Sequence, residues 1–427
     1  MPNSKSFKKE TTFPPQPISK LVHWIKAIVA LILDPFIRIQ TGTVVFVSKP
    51  RLPPNGNLRI FMDMLAAKGS HKVSFYLDGR LTNAMRNQLN SQGITTIEGF
   101  SLKSLPTLLS AQTLVFSHSN FDAHVVRRKN GRRVINLWHG VPIKQIEALR
   151  VPLTNPLREQ LRQFLLQISS QLYDHMVASG PHDQQVIAKA FYLKSSAVNP
   201  IGLPRYDYLT HQQTSLPEDL ERERHALSQL CGERKLILFA PTFREKNASV
   251  LHTLNEEVLL RLQTMCEQYN LVFGIRSHPY EQRLLEDLKL EKYHNTIIDL
   301  GMDYYSETAL VLRQTDLLIV DYTSTWVDFL ICNKPILGFI PDKEEYLETE
   351  RGFIYDLNEI YPGPILYDWK SCIEHIEQYT HTDFTISNLD KYEAIKALLL
   401  PPGDHNKAIT PQLINSFFHE ILFIKSY

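Results

Sequence analysis

An α/β chain built of two Rossmann-like domains is what this sequence predicts, and three observations carry the prediction. At 427 residues the chain exceeds one ordinary domain of about 150 residues and suits two. From residue 43 onward, short apolar runs alternate with segments of helical period, the pattern of a doubly wound parallel sheet. The same alternation starts afresh near residue 236, after a polar passage. Runs such as Leu317-Leu-Ile-Val320 are continuously apolar, as strands buried on both faces are.

Taken in order, residues 1–40 form an N-terminal extension. It opens on a polar stretch, residues 1–16, without the small-residue cleavage site of a secretory signal. Residues 19–34 follow as an apolar segment whose uninterrupted run, 27–33, is far short of the roughly 20 residues a spanning helix needs. With Trp24 near one end and Lys20, Lys26 and Arg38 around it, this segment reads either as an interfacial helix in a headgroup layer or as a helix packed on the first domain. Residues 41–205 read as the first domain. Its strands are expected at 44–48, 72–77, 113–117 and 134–138, with helices at 81–92, 102–109 and near 183–191. Residues 202–207 and the polar stretch 211–217 mark the passage between domains. The second domain, 206–427, is expected to place strands at 236–239, 271–275, 296–298, 317–320 and 335–339, with a helix at 254–268. A last helical pattern at 409–423 is expected to cross back over the first domain. Two such domains facing one cleft constitute the GT-B arrangement of many nucleotide-dependent transferases.

Composition narrows the function. The 46 basic and 45 acidic side chains nearly cancel, against the basic excess of proteins whose main partner is nucleic acid, and no nucleic-acid partner is expected. Four widely spaced cysteines without a C-x-x-C pair suggest free thiols in a reducing, cytoplasmic compartment. The histidines lack H-E-x-x-H spacing, so no metal site is assigned, and the absence of a G-x-x-x-x-G-K-[ST] loop excludes P-loop hydrolysis. No cofactor is expected.

Three strand endings carry the candidate chemistry. Asp316-Leu-Leu-Ile-Val-Asp-Tyr-Thr-Ser-Thr-Trp-Val-Asp328 reads as a strand passing into a helix whose first turn holds Thr323, Ser324 and Thr325, a place where backbone N–H groups and hydroxyls can cradle a phosphate. A plain N-cap accounts for the same residues. Arg133-Val-Ile-Asn-Leu-Trp-His-Gly140 ends on His139 and Gly140 with Lys144 close behind, and Leu271-Val-Phe-Gly-Ile-Arg-Ser-His-Pro279 ends on Arg276 and His278. Ligands of open α/β sheets sit beyond the carboxyl ends of strands, so these endings are expected to converge on one site.

Five motifs in order, Asn136-Leu-Trp-His-Gly-Val-Pro-Ile-Lys144, Ala240-Pro-Thr-Phe-Arg244, Ser277-His-Pro279, Asp321-Tyr-Thr-Ser-Thr-Trp-Val-Asp328 and Arg351-Gly-Phe353, resemble those of the CDP-glycerol glycerophosphotransferases, makers of teichoic acids and related capsule polymers. Gly202-Leu-Pro-Arg-Tyr-Asp207 is similar to a Gly-x-Pro-Arg-x-Asp element of that family, while Thr323 stands where the family usually has Ser. The resemblance implies attack of an acceptor hydroxyl on the β-phosphorus of CDP-glycerol with release of CMP. The implied acceptor is polyprenyl-linked or a polyol phosphate polymer, met by a peripheral protein at the inner face of the cytoplasmic membrane.

Within that reading His139 is the expected base, since an imidazole can take the hydroxyl proton near neutral pH, and Gly140 lets backbone approach the substrate. His278 and Arg276 are expected on the pyrophosphate, Thr323 and Ser324 on the β-phosphate, and Lys144 on phosphate or acceptor charge. Thr242 and Arg244 are expected to line the cleft, Arg244 either on substrate or in an ion pair. Asp321 is expected to hold its loop rather than meet an anion. Arg205 and Asp207 suit either cleft or hinge, and Asp328 and Arg351 shape loops by pairing. The basic run Arg127-Arg-Lys-Asn-Gly-Arg-Arg133 reads as a solvated turn or as a contact for an anionic acceptor. Competing activities are ribitol phosphate transfer from CDP-ribitol, a sugar-nucleotide glycosyltransferase, and a non-catalytic scaffold.

Overall fold

The computed structural model describes residues 20–50, 52–125, 127–210, 216–244, 248–349, 352–403 and 407–418. Arg351, the polar residues 1–16 and most of the passage at 211–217 lie outside them. The described parts of Glu10–His139, Glu147–Asp207 and Pro401–Tyr427 form one compact unit, and those of Gly140–Ile146 and Tyr208–Leu400 form a second.

The first unit is built on seven strands: β1 (Gln40–Val47), β2 (Lys72–Leu77), β3 (Thr95–Glu98), β4 (Ala111–Phe116), β5 (Arg133–Asn136), β6 (His175–Val177) and β7 (Val198–Asn199). Their order is β3-β2-β1-β4-β5-β6-β7, every pair parallel, with Val44 of β1 facing Val73 on one side and Thr113 on the other. The strand order reverses between β1 and β4, which opens a crevice beyond their carboxyl ends. The second unit repeats the plan with β8 (Lys235–Ala240), β9 (Leu271–Ile275), β10 (Ile297–Asp299), β11 (Leu317–Val320), β12 (Ile336–Phe339) and β13 (Ile365–Leu366) in the order β10-β9-β8-β11-β12-β13. All pairs are again parallel, and the order reverses between β8 and β11. The α/β class and the parallel sheets agree with the expectation from sequence.

Apolar strands buried on both faces supply the core. In the second unit Phe239, Phe273, Phe339 and Trp369 interlock, the last at ring-centroid distances of 5.1 Å from Phe239 and 4.4 Å from Phe339. The indole N–H of Trp369 donates to Thr253 Oγ1 at 2.8 Å, so the large ring is buried without an unmet donor. Strands β3, β7 and β13 escape the sequence reading because they are only four, two and two residues long, too short to show a period.

The helix Ile409–Phe418 belongs to the first unit, beside the amino-terminal sheet. Asp207 closes its first turn: the backbone N–H groups of Ile409 and Thr410 donate to the two carboxylate oxygens at 2.6 and 2.8 Å. Gly202, at φ +110°, lets the backbone pass where a Cβ would lie 2.4 Å from Ile409 Cδ1. The acid of the passage, Asp207, is therefore a helix cap.

The helix Lys20–Leu33 packs through Ala27 and Ala30, and Lys26 bonds Asp78 at 2.5 Å. Just past its end the buried Asp34 pairs with Arg132 at 2.7 Å and Lys129 at 3.2 Å. Arg128 pairs with Asp174, and Arg133 donates to the carbonyl of Phe417. Four cations of the basic run thus have structural partners, while Asn130 and Gly131 form the exposed turn expected from sequence, with Arg127 exposed before it.

Asp207→Ala removes two charge-assisted bonds at a buried helix end. It is expected to lower unfolding stability by about 1–3 kcal/mol in urea titrations, with an unchanged m-value.

Candidate active site

At the reversal point of the second sheet a cavity of about 380 Å³ opens beyond the carboxyl ends of β8, β9 and β11. Lys144, Arg276, His278, Thr242 and Thr323 line it, together with Ser277, Thr308 and Thr325. Among the described residues its lining holds cations and hydroxyls but no carboxylate, which makes it hospitable to an anion. The acid that the sequence puts beside it, Asp321, is turned inward. Its oxygens accept the Thr242 backbone N–H at 2.9 Å, the Thr242 hydroxyl at 2.6 Å and the Arg244 guanidinium at 2.6 Å, with both charged side chains fully buried.

Arg244 is accordingly not a free substrate clamp. Its Nε donates to Asp342 at 2.8 Å, and its guanidinium lies 5.0 Å from both the Tyr322 and Tyr346 rings, which stack on each other at 3.7 Å. Burial works against its charge, but Asp321 and Asp342 outweigh that and raise its pKa above the ordinary value. Arg276 is likewise a loop holder: it donates to the carbonyls of Leu300 and Tyr305 at 2.5 and 2.9 Å and to Thr308 Oγ1 at 2.9 Å. These bonds use both Nη1 hydrogens and one of Nη2, and Arg276 also lines the cavity.

His278 differs. The backbone N–H of Tyr280 donates to its Nδ1 at 3.2 Å, so the neutral ring carries its proton on Nε2, the form that donates. Phe243 stacks on the ring at 5.3 Å. Lys144 lies 5.2 Å from the Tyr346 ring, on a segment tied to the second unit by the bridge to Phe353 and by the Gln145 N–H to Gly352 bond of 2.8 Å.

The hydroxyls divide in an unforeseen way. The helix after β11 begins only at Thr325, with Ser324 as its N-cap and Thr323 outside it, because Thr323 Oγ1 accepts the Thr325 N–H at 3.2 Å and closes a tight turn. Thr323 and Thr325 hydroxyls share one bond of 2.8 Å, which leaves one hydroxyl hydrogen for a ligand; Ser324, expected on phosphate, is not in the lining. Ser277 carries a buried hydroxyl with no hydrogen-bond partner, facing a cavity where a ligand oxygen would supply one. The motif around it was legible, but nothing in a sequence marks one hydroxyl as orphaned.

His139 belongs to the first unit, and the chain enters the second at Gly140. It follows β5 on a turn in which Trp138 has φ +53°, a left-handed conformation costing roughly 1 kcal/mol or more for a bulky residue. The surroundings hold it there. The Trp138 N–H donates to Asn136 Oδ1 at 2.8 Å, Asn57 Nδ2 donates to the carbonyls of Leu137 and Trp138 at 3.2 and 3.0 Å, and Arg205 donates to the His139 carbonyl at 2.7 Å. Asn57 also accepts the Arg205 N–H at 3.1 Å. Arg205 and Asn57 are thus positioning residues of the turn, the latter missed because it lies 80 residues upstream of its partner.

The imidazole of His139 is oriented with equal care. Nδ1 lies 3.1 Å from the Ser117 carbonyl, which can only accept, so Nδ1 carries the proton and Nε2 keeps its lone pair. The ring stacks on His118 at 4.4 Å and 6°. Crowding by protein atoms, and after it the positive charges of Arg205 and Lys49, push the ring down to about 4, while the Ser117 bond opposes them. The residue keeps an exposed edge, which tempers the shift without changing its sign. Its resting form is the neutral imidazole. Among the described residues, no three His, Cys, Asp or Glu are grouped to hold a metal ion.

Two substitutions check this site. Asp321→Ala leaves the Arg244 guanidinium buried without its closest counter-charge and is expected to cost about 3–5 kcal/mol of stability in urea unfolding. Ser277→Ala removes only the orphan hydroxyl, so it is expected to leave the melting temperature within about 2 °C while weakening anion binding, read by calorimetry with a nucleoside diphosphate.

Comparison with known proteins gives the family. The chain is 26% identical over 353 residues to the teichoic acid poly(glycerol phosphate) polymerase of Bacillus spizizenii, covering 80% of this chain and 84% of that protein. It is 27% identical over 364 residues to the teichoic acid ribitol-phosphate polymerase TarL of Staphylococcus aureus, covering 84% of this chain but 60% of the longer relative. The solved structure of the wall teichoic acid polymerase TagF shares the fold at a TM-score of 0.73 and 17% identity, over 95% of this chain and 100% of that one. Residues 32–405 match the CDP-glycerol:poly(glycerophosphate) glycerophosphotransferase family, and the chain belongs to that family.

Proposed function

We propose that the protein transfers glycerol phosphate from CDP-glycerol to a hydroxyl of a lipid-linked or polymeric acceptor, releasing CMP, in the synthesis of a teichoic acid or capsule polymer. The observation that carries this reading is the cavity at the reversal point of the second sheet, lined by hydroxyls, Lys144 and His278 with no carboxylate among the described residues. It suits a diphosphate, and the family to which the chain belongs supplies the class of donor. Glycerol is favoured over ribitol by the family's own description, although a ribitol-phosphate relative is equally similar.

In this reading Nε2 of His139 takes the proton of the acceptor hydroxyl as its oxygen attacks the β-phosphorus. The bond from that phosphorus to the bridging oxygen breaks, and CMP departs with the electron pair. The Nε2 proton of His278 stabilises the charge growing on the departing phosphate, as do Lys144, Ser277 and the Thr323–Thr325 hydroxyl pair. The two histidines have the same chemistry but opposite hydrogen-bond partners, a carbonyl for one and an N–H for the other, and this suits them to opposite roles. No described helix is long and apolar enough to cross a membrane, so the reading has the protein meet its acceptor peripherally, with the helix Lys20–Leu33 in the headgroup layer of the inner face of the cell membrane.

Purified protein incubated with CDP-glycerol, CDP-ribitol and a panel of UDP-sugars, each with lipid acceptor, is expected to release CMP from CDP-glycerol; UDP from a UDP-sugar overturns the assignment. His139→Ala is expected to lower kcat at least about 100-fold, with little change in donor KM. Because the base must be neutral, and its pKa lies below the ordinary value, the acid limb of kcat/KM is expected below pH 6.5. Arg205→Gln removes one of the charges that depress it and should move that limb to higher pH.

A further inference from the structure

Strand β4 ends at Phe116, and the next two residues, Ser117 and His118, both meet the imidazole of His139. The Ser117 carbonyl faces its Nδ1 at 3.1 Å, and the His118 ring lies against its face at a centroid distance of 4.4 Å and an interplanar angle of 6°. Trp138 adds a tilted ring contact at 4.1 Å. Other side chains hold the stack in place. The buried Asn136 donates from Nδ2 to the His118 carbonyl at 2.9 Å while its Oδ1 accepts the Trp138 N–H at 2.8 Å, so one amide fixes the loop after β4 against the turn after β5. The Ser117 hydroxyl lies 2.9 Å from His118 Nδ1 and steadies that ring in turn. His118 is half-buried and His139 exposed, so the contact closes one face of the base and leaves an edge open to solvent.

Parallel packing limits what His118 can do. The N–H bonds and lone pairs of an imidazole lie in its ring plane, so two stacked rings form no hydrogen bond and pass no proton directly between them. What the contact supplies is orientation and shielding. The charges that act on the pair are Lys49, from the loop after β1, and Arg205, and both oppose protonation of His139. Burial first, and then the charges of His139 and Lys49, hold His118 well below the ordinary imidazole range. It therefore stays neutral near neutral pH and presents an uncharged face when His139 takes up a proton. Two imidazolium rings at this separation would repel each other.

We infer that His118 is a positioning residue for His139, resting on the reading of His139 as the base: its ring fixes the plane of that imidazole, so that Nε2 meets the acceptor hydroxyl in one orientation, and keeps water off its face. An imidazole free to turn about its Cβ–Cγ bond spends less time in the geometry that proton transfer needs.

The test compares His118→Ala with His118→Phe in CMP release from CDP-glycerol with lipid acceptor, followed across pH. A phenyl ring can stack but cannot titrate. His118→Ala is expected to lower kcat about ten-fold on the pH plateau. Water then reaches the His139 face and eases its protonation, so the acid limb of kcat/KM is expected to move to higher pH. His118→Phe is expected to restore kcat to within about three-fold of the parent, with the limb back in place. Melting temperatures of both variants separate lost positioning from lost fold, and titration of the His139 Cε1 proton by NMR reads the same shift without turnover. An unchanged kcat and limb in His118→Ala overturn the inference. So does His118→Phe as impaired as His118→Ala, because the imidazole itself and not the stack is then required. His139→Ala is run beside them: full turnover there removes the base and this inference with it, whereas lost turnover there beside an unimpaired His118→Ala removes the inference alone.

Discussion

The buried ion pair of Asp321 and Arg244 is the contact on which the candidate site depends. A carboxylate at the mouth of a phosphate pocket would repel the ligand, and a guanidinium left alone in the interior would be costly. Pairing them at 2.6 Å, and giving the remaining carboxylate capacity to Thr242, removes both difficulties. The pair also ties the loop after β8 to the loop after β11, the two strands between which the order of the second sheet reverses. The crevice between diverging loops is thus held open by a charge pair that lies outside the cavity lining.

A comparable logic governs the turn at His139. A left-handed Trp138 persists because Asn57, Asn136 and Arg205 each bond a different backbone group of the turn. The strain is local and its restraint is distributed, so the imidazole that follows is presented in one tautomer against the Ser117 carbonyl. His118, stacked on that ring, limits its rotation.

Much of the fold was legible because buried parallel strands are written as short continuous apolar runs, and nine such runs were found at or within a few residues of their observed positions. The short edge strands were not, since two to four residues carry no period. His139, His278 and Thr323 stood out through motif and chemistry. Arg244 looked like a phosphate ligand for the same reason, yet its guanidinium is taken by Asp342 and Asp321, while that of Arg276 is shared between loop carbonyls and the cavity lining. An arginine's number of donors can be read from its letter, but which acceptors reach it first cannot.

Sequence by itself determined the α/β class, the double sheet, the family and the identity of the residues capable of acid–base and phosphate chemistry, because these follow from local periodicity and side-chain type. Tertiary structure decided which of them are available. Proton placement on each histidine depends on whether a carbonyl or an N–H comes from a distant strand end, and the orphaned hydroxyl of Ser277 depends on what packs around it.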